Sequence, residues 1–239
     1  MPVHVTVIVP CYNEEESLPH LAPRLDAMIK QGHLNWEVLF VNDGSKDQTA
    51  ERLASITKQY SWASAVHHLQ NKGLGAALRT GFAGAKGDVV CTIDSDCTYP
   101  PERLPELLAA LKSGASIATA SPWHPSVQEG DVPWHRKIFS QAASMLYCIV
   151  IGKRIYTFTS MFRAYSRPVV DNVKFQSNGF PAVTEILIKG LLQGYIVEEI
   201  PIPLGTRVHG ESKMNFQQAI RGHLELLSKC VHWKFSRVL

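Results

Sequence analysis

Two carboxylates one residue apart, Asp94 and Asp96, close the short β-branched run Val89-Val90-Cys91-Thr92-Ile93. The run reads as a buried strand. The carboxyl end of such a strand is where an open α/β sheet binds its ligands. Two carboxylates this close repel each other unless something positive lies between them. A divalent cation with oxygen ligands, itself bound to phosphates, meets that need. The plain alternative is a solvated turn opened by Asp and followed by Tyr99-Pro100-Pro101. Two further strand ends carry polar groups. Val3 to Val9 runs into Pro10-Cys11-Tyr12-Asn13-Glu14, and Trp36 to Val41 runs into Asn42-Asp43-Gly44-Ser45. In a parallel sheet these ends share one edge, so their side chains should converge with Asp94 and Asp96. A nucleotide base could then rest on Tyr12 and give an imino N–H to Asp43, with its diphosphate reaching Asp96 through a metal.

The elements that must hold these residues alternate between strand and helix, which predicts a mostly parallel sheet with right-handed crossovers. A first helix is expected from Asn13, as its cap, to about Lys30, stopping at Gly32. A second begins near Asp47 and buries Leu53 and Ile56. A weak strand covers Ala63 to His68. The glycines of Asn71-Lys72-Gly73-Leu74-Gly75 and Gly81 either open a phosphate-binding helix or let one pack closely; packing is the preferred reading for Gly81 and Gly84. Pro100-Pro101-Glu102 opens a helix that buries Leu104, Leu107, Leu108 and Leu111, and Ile117 to Ala120 is a strand. The rest is less regular. Ser121 to Pro133 is a loop long enough to act as a lid. Helices are expected over Trp134 to Ile151, Phe180 to Leu192 and Asn215 to about Val231, and strands over Thr157 to Tyr165 and Tyr195 to Ile202.

With 239 residues, 45% apolar and 19% charged, the chain is an ordinary globular one. A net charge of +3 without a dense basic tract argues against nucleic acid as a partner. Five scattered cysteines read as small buried residues in a reducing compartment, not as disulfides or a zinc site. There is no signal-peptide pattern, and no apolar run reaches the roughly 18 residues that span a bilayer. The expectation is a soluble or peripheral protein. His67, His68, His124 and His209 lack ligand spacing and read as loop or core histidines.

These motifs together resemble glycosyltransferase family 2, whose fold is the Rossmann-like GT-A fold. Val9-Pro10-Cys11-Tyr12-Asn13-Glu14 is similar to its opening motif and Val41-Asn42-Asp43-Gly44-Ser45 to its base-binding motif. Asn71-Lys72-Gly73-Leu74-Gly75 with Gly87-Asp88 resembles the third, and Asp94-Ser95-Asp96 the metal motif. The second half is most similar to the polyprenyl-phosphate (dolichyl-phosphate) mannosyltransferase branch. Its metal motif continues to Glu102, Thr159 to Tyr165 resembles its arginine strand, and Arg207-Val208-His209-Gly210-Glu211-Ser212-Lys213-Met214 its basic loop. Thr98 stands where that branch carries Gln, Met161 where Gly is common and Asn42 where an acid is frequent.

The resemblance implies an enzyme that transfers a sugar with inversion, assisted by Mg²⁺ or Mn²⁺, from a nucleotide sugar to a polyprenyl phosphate. GDP-mannose is the favoured donor. Implied donor contacts are Pro10, Tyr12, Asn13, Glu14, Asp43, Asn71, Asp94, Ser95 and Asp96, with Asp94 and Asp96 the metal ligands. Implied catalytic residues are Asp96, Arg163, Arg207 and Lys213, the basic ones gripping phosphates. The ordinary alternatives are a structural ion pair for Arg163 and a solvated loop for Arg207 and Lys213. The expected division is a catalytic domain over residues 1–212, split at 120 into a nucleotide-binding and an acceptor half, then a C-terminal amphipathic helix over 213–239. That helix sets Phe216, Ile220, Leu224, Leu227, Val231, Trp233 and Phe235 among Arg221, Lys229, Lys234 and Arg237. Such a helix suits the cytoplasmic face of a membrane or a pack against the protein core. A membrane-anchored partner subunit is a further candidate. Competing readings are a UDP-glucose or UDP-N-acetylhexosamine donor, a saccharide acceptor, and a non-enzymatic nucleotide-sugar-binding subunit.

Overall fold

The computed structural model describes residues 4–32, 34–127, 134–206 and 216–236. Seven strands form one sheet: β1 (His4–Cys11), β2 (Asn35–Asn42), β3 (Ala63–His67), β4 (Val89–Thr92), β5 (Ile117–Ala120), β6 (Arg163–Ser166) and β7 (Val197–Ile200). Their order is β3-β2-β1-β4-β6-β5-β7, and only β6 runs antiparallel to its neighbours. The chain winds outward from β1 through β2 to β3, then returns to place β4 on the other side of β1. The order therefore reverses between β1 and β4, which opens a crevice beyond their carboxyl ends.

The central strands are buried on both faces, and their sequences show it. Val5, Val7 and Val9 point into one layer with Val38 and Phe40, while Ile8, Leu39 and Val41 point into the other. Period-two alternation between two apolar layers requires a near-continuous β-branched run. Helices α1 (Leu18–Gln31), α2 (Thr49–Gln59) and α4 (Leu104–Lys112) cover the first layer. Helices α3 (Leu74–Gly84), α5 (Trp134–Ile151), α7 (Pro181–Leu192) and α8 (Phe216–Ser236) cover the second, and a short α6 (Arg167–Asn172) follows β6. α8 lies against α5 and α7, burying Ala219, Leu226 and Cys230.

Two elements differ from their expected form for visible reasons. α1 begins at Leu18, not after Asn13. Asn13 is left-handed, with φ 54°, and laces across to the β2–α2 turn: its N–H donates to Ser45 Oγ (2.9 Å) and its Oδ1 accepts Lys46 N–H (2.8 Å). Glu14 N–H likewise donates to Thr49 Oγ1 (2.8 Å). Asn13 therefore ties two loops together and does not cap the helix. The strand expected over 157–165 is confined to its end. Upstream, side chains satisfy the backbone: Glu199 accepts the N–H groups of Tyr156 and Thr157 (2.8 and 2.9 Å), Ser144 that of Phe158, and Thr92 Oγ1 donates to Met161 O. A backbone already paired in this way has no need of a ladder.

α3 meets the sheet through glycine. A Cβ at Gly81 would lie 2.4 Å from Ile8 Cγ2, and one at Gly84 would lie 2.9 Å from Leu39 Cδ2. Gly81→Ala gains about 1 kcal/mol of helix propensity, but overpacking costs about 1–3 kcal/mol. The variant is expected to unfold at lower urea concentration than wild type; an unchanged or higher midpoint would show that the helix does not rest this closely on β1.

Candidate active site

Parallel register builds the site. Cys11 pairs with Asn42 and Asn42 with His67, while Ile8 pairs with Thr92, so β1, β2, β3 and β4 end on one edge. Tyr12, Asp43 and His68 are the next residues after β1, β2 and β3, and Asp94 follows β4 one residue later, after Ile93. A cavity of about 660 Å³ opens there. Pro10, Tyr12, Glu14, Asp43, Asn71, Asp94, Ser95 and Asp96 line it, along with Thr98. Asn13 is turned away to the β2–α2 turn.

Asp43, Asp96 and Glu14 are held by donors. Asp43 is buried, and its Oδ1 accepts His68 Nδ1–H (2.6 Å) and Lys72 N–H (3.0 Å), while its Oδ2 accepts Gly73 N–H (2.8 Å). Asp96 Oδ1 accepts both the N–H and the hydroxyl of Thr98 (3.0 and 2.8 Å). This closed turn sets Cys97 at φ 57°. Thr98 thus acts as the support of Asp96. Glu14 Oε2 accepts Ser17 Oγ–H at 2.7 Å. Cys11 also lines the cavity, but burial, with Glu14 and Asp47 nearby, pushes its thiol well above the ordinary range, so it is no nucleophile. Burial likewise keeps Tyr99 protonated; its ring stacks on Phe162 at 5.2 Å, and the residue lines the cavity.

Among the described residues, no group of three or more His, Cys, Asp or Glu is arranged to hold a metal by itself. Asp94 and Asp96 offer hard oxygen donors on one turn, which suits Mg²⁺ or Mn²⁺ provided that phosphate and water complete the shell. None of the described lining residues is Lys or Arg.

Arg163 does not reach the cavity. Its guanidinium is fully buried between the sheet and α7, donating to Thr119 Oγ1 (3.0 Å), Phe158 O (2.7 Å) and Val183 O. Each of the three guanidinium nitrogens spends an N–H on fixing β5, the 158 segment or α7, so the side chain is not directed at a phosphate in the cavity. Among the described residues it forms no ion pair: its partners there are one hydroxyl and two carbonyls. Arg207 and Lys213 lie outside the described residues. The chain leading to them is anchored at the site, since Gly205 N–H donates to Thr98 O (2.8 Å) and Leu204 lines the cavity.

The far side of the cavity comes from elements that the sequence does not connect to it. Trp123, Phe139, Ser140, Phe180, Pro181 and three α8 residues, Gln218, Ala219 and His223, complete the wall. Trp123 Nε1–H donates to Ser140 Oγ (2.8 Å), itself 2.7 Å from Thr159 Oγ1. His223 is buried against Tyr147, whose hydroxyl lies 3.0 Å from Nδ1, and burial lowers its pKa to about 4, so it is neutral at pH 7.

The segment facing Asn71–Gly75 is clamped from behind. Backbone atoms of Ser177 and Asn178 come so close that a Cβ on Gly73 or Gly75 would collide with them. Glu185 fixes this segment by accepting the N–H groups of Gln176 and Ser177 (3.1 and 2.8 Å) and pairing with Lys189 (2.9 Å). Burial alone would raise its pKa, but the Ser177 hydrogen bonds and Lys189 prevail and hold it below its ordinary 4.5. A carboxylate depressed in the fold stabilises above its unfolded pKa and loses that contribution as pH falls through the folded value. Stability should therefore drop below about pH 4.5, and Glu185→Gln, expected to cost about 3 kcal/mol at pH 7, should flatten that acid limb. Parallel urea-stability curves for both proteins between pH 3 and 7 would contradict this account.

A crevice at a topological switch point, edged with carboxylates and closed by helices, defines an α/β protein of the GT-A type. The chain belongs to glycosyl transferase family 2, whose model matches residues 6–174. It is 35% identical over 232 residues to a dolichol-phosphate mannosyltransferase of Pyrococcus furiosus, covering 96% of this chain and 64% of that protein. It is 30% identical over 234 residues to an undecaprenyl-phosphate 4-deoxy-4-formamido-L-arabinose transferase of Salmonella dublin, covering 94% and 66%. The chain thus spans about two thirds of the length of these relatives. Its fold is similar to that of glucosyl-3-phosphoglycerate synthase from Mycobacterium tuberculosis in complex with Mn²⁺, uridine diphosphate and phosphoglyceric acid, with TM-score 0.73, 21% identity, and 95% and 78% of the two chains covered.

Proposed function

We propose that this chain catalyses inverting transfer of a hexose, mannose first among the candidates, from a nucleoside diphosphate to a polyprenyl phosphate. One observation carries the reading: a single cavity joins the carboxylate edge at Asp43, Asp94 and Asp96 to an apolar end beside α5 and α8. The two relatives named above are both polyprenyl-phosphate transferases by name, which supports the acceptor class.

The chemistry asks little of a general base. A phosphate monoester has its second pKa near 6, so the acceptor is largely dianionic at pH 7 and is itself the nucleophile. The demand is to bring one anion to another. In this reading Tyr12 receives the base, Asp43 accepts its imino N–H, and Asp94 and Asp96 hold a divalent cation. That cation would stabilise the leaving diphosphate. Because the described wall has no Lys or Arg, the remaining positive charge is assigned to Arg207 and Lys213, downstream of the Gly205–Thr98 anchor.

The test is sugar transfer to a short polyprenyl phosphate from labelled GDP-mannose, UDP-glucose and UDP-N-acetylglucosamine, with Mg²⁺ or Mn²⁺. A lipid-linked product from one donor is expected, abolished by EDTA and reduced about 100-fold or more in Asp96→Asn. Transfer to a saccharide, or full activity in Asp96→Asn, would overturn the assignment.

Peripheral attachment to a membrane at its cytoplasmic face forms part of the proposal. Among the described residues no helix is long and apolar enough to cross a bilayer. α5 nevertheless exposes Trp134, Ile138, Met145, Leu146 and Ile149, and α8 exposes Ile220, Leu224 and Val231. The two helices pack together, and in this reading their exposed side chains serve jointly as the apolar attachment face. The chain should co-float with phosphatidylcholine–phosphatidylglycerol vesicles, and Ile138→Glu combined with Leu224→Glu should not; equal flotation would remove this face as the attachment surface.

A further inference from the structure

The Asp43 carboxylate has a built support that its role in holding a base does not by itself require. His68 is the first residue beyond β3, and its backbone N–H donates to Asn42 O at 2.8 Å, so the ladder fixes its Cα beside the β2 tip. Its side chain is almost wholly buried, and both ring nitrogens are used. Nδ1 lies 2.6 Å from Asp43 Oδ1, and Nε2 lies 2.9 Å from Thr80 Oγ1 on α3. Since a carboxylate can only accept, Nδ1 carries the proton; in the neutral ring Nε2 then accepts from the Thr80 hydroxyl. The adjacent His67 points to Asn42 instead, with its Nδ1 3.1 Å from Asn42 Nδ2.

The count of lone pairs gives this contact its meaning. An ionised carboxylate offers about four acceptor sites, two on each oxygen. His68 and Lys72 N–H fill both sites of Oδ1, and Gly73 N–H fills one of Oδ2. The two backbone donors alone would keep Asp43 satisfied. The imidazole adds a third, rigid donor that stops rotation of the carboxylate and leaves one acceptor lobe, on Oδ2, for a ligand in the cavity.

We infer that His68 is a positioning residue for the donor nucleobase: through Nδ1–H it locks Asp43 so that a single Oδ2 lobe meets one N–H of the base. This rests on the donor-site reading given above. The test separates the two ring nitrogens. Asn at position 68 puts an amide N–H where Nδ1 stands, whereas Gln puts it where Nε2 stands. Binding of GDP, UDP and inorganic pyrophosphate, each with MgCl₂, would be titrated calorimetrically into the full chain and into His68→Asn, His68→Gln and Asp43→Asn. The better-bound nucleotide should keep its affinity within about threefold in His68→Asn and lose about tenfold or more in His68→Gln, the worth of a hydrogen bond to a charged group. Pyrophosphate, which has no base, should bind all four proteins alike. If His68→Asn and His68→Gln weaken nucleotide binding equally, or neither does while Asp43→Asn does, the positioning role is overturned and the donor site stands. If Asp43→Asn binds nucleotide as wild type does, or wild type binds neither nucleotide, the donor-site reading falls and this inference with it.

Discussion

Acids gathered on one edge of a sheet repel, and the structure around this cavity is shaped by the donors that hold them there. Asp43 is met by two backbone N–H groups and an imidazole, Asp96 by the N–H and hydroxyl of Thr98, and Glu14 by Ser17. Hydrogen bonds to an ionised group are about twice as strong as neutral ones, and they leave each carboxylate in a fixed direction. The donors come from loops that follow three different strands, β1, β3 and β4, so the site forms only once the sheet has set those loops side by side. Fold and site are in this sense one problem: parallel register brings the acids together, and the loops must then neutralise what the register has assembled.

The same dependence appears behind the site. Gly73 and Gly75 let the 177–178 backbone come within contact of the β3–α3 turn. That turn supplies the Lys72 and Gly73 N–H groups to Asp43. Glu185, paired with Lys189, holds the 176–177 segment, and Arg79 reaches it from α3 through Ser177 O (2.9 Å) and Asn178. A buried ion pair on α7 is thereby connected, through one loop and two glycines, to the carboxylate on β2. Replacing such a pair by apolar residues often costs little in stability. Its value here lies in the direction of the backbone that it fixes.

The strand ends were legible because their pattern is local: a β-branched run of period two and the polar residues that stop it determine both the strand and its tip. What was not legible depended on direction or on covering. Arg163 is the right residue type for a phosphate, but its side chain points between sheet and helix and is held there by a hydroxyl and two carbonyls. Asn13 is a good helix cap by composition, yet it pairs with a turn more than thirty residues away. His68 reads as any loop or core histidine until β2 and β3 lie together. On α5, Ile138, Met145, Leu146 and Ile149 have the spacing of a buried face. Periodicity states that a face is apolar but not what lies over it, and these four are exposed. α8 divides the same way, with Ala219, Leu226 and Cys230 inside and Ile220, Leu224 and Val231 outside.

The cavity also joins three kinds of surface. At the strand tips it is acidic. The rest of its wall carries the hydroxyls of Thr157, Thr159, Ser140 and Ser160 and the apolar side chains of Phe139, Phe180, Pro181 and Ala219. Among the described residues no Lys or Arg lines this acid edge, and acids alone cannot receive a diphosphate, because the charges are of one sign. A cation is therefore a condition for binding in the proposed reaction, ahead of any part it has in the chemistry. The hydroxyls can hydrogen-bond either as donors or as acceptors, which suits a sugar whose own hydroxyls do the same. The apolar end, formed by the helices that carry the exposed face, suits a chain that must leave the site for a hydrophobic phase. The wall thus offers a surface suited to each part of the proposed substrates: diphosphate, sugar and hydrocarbon.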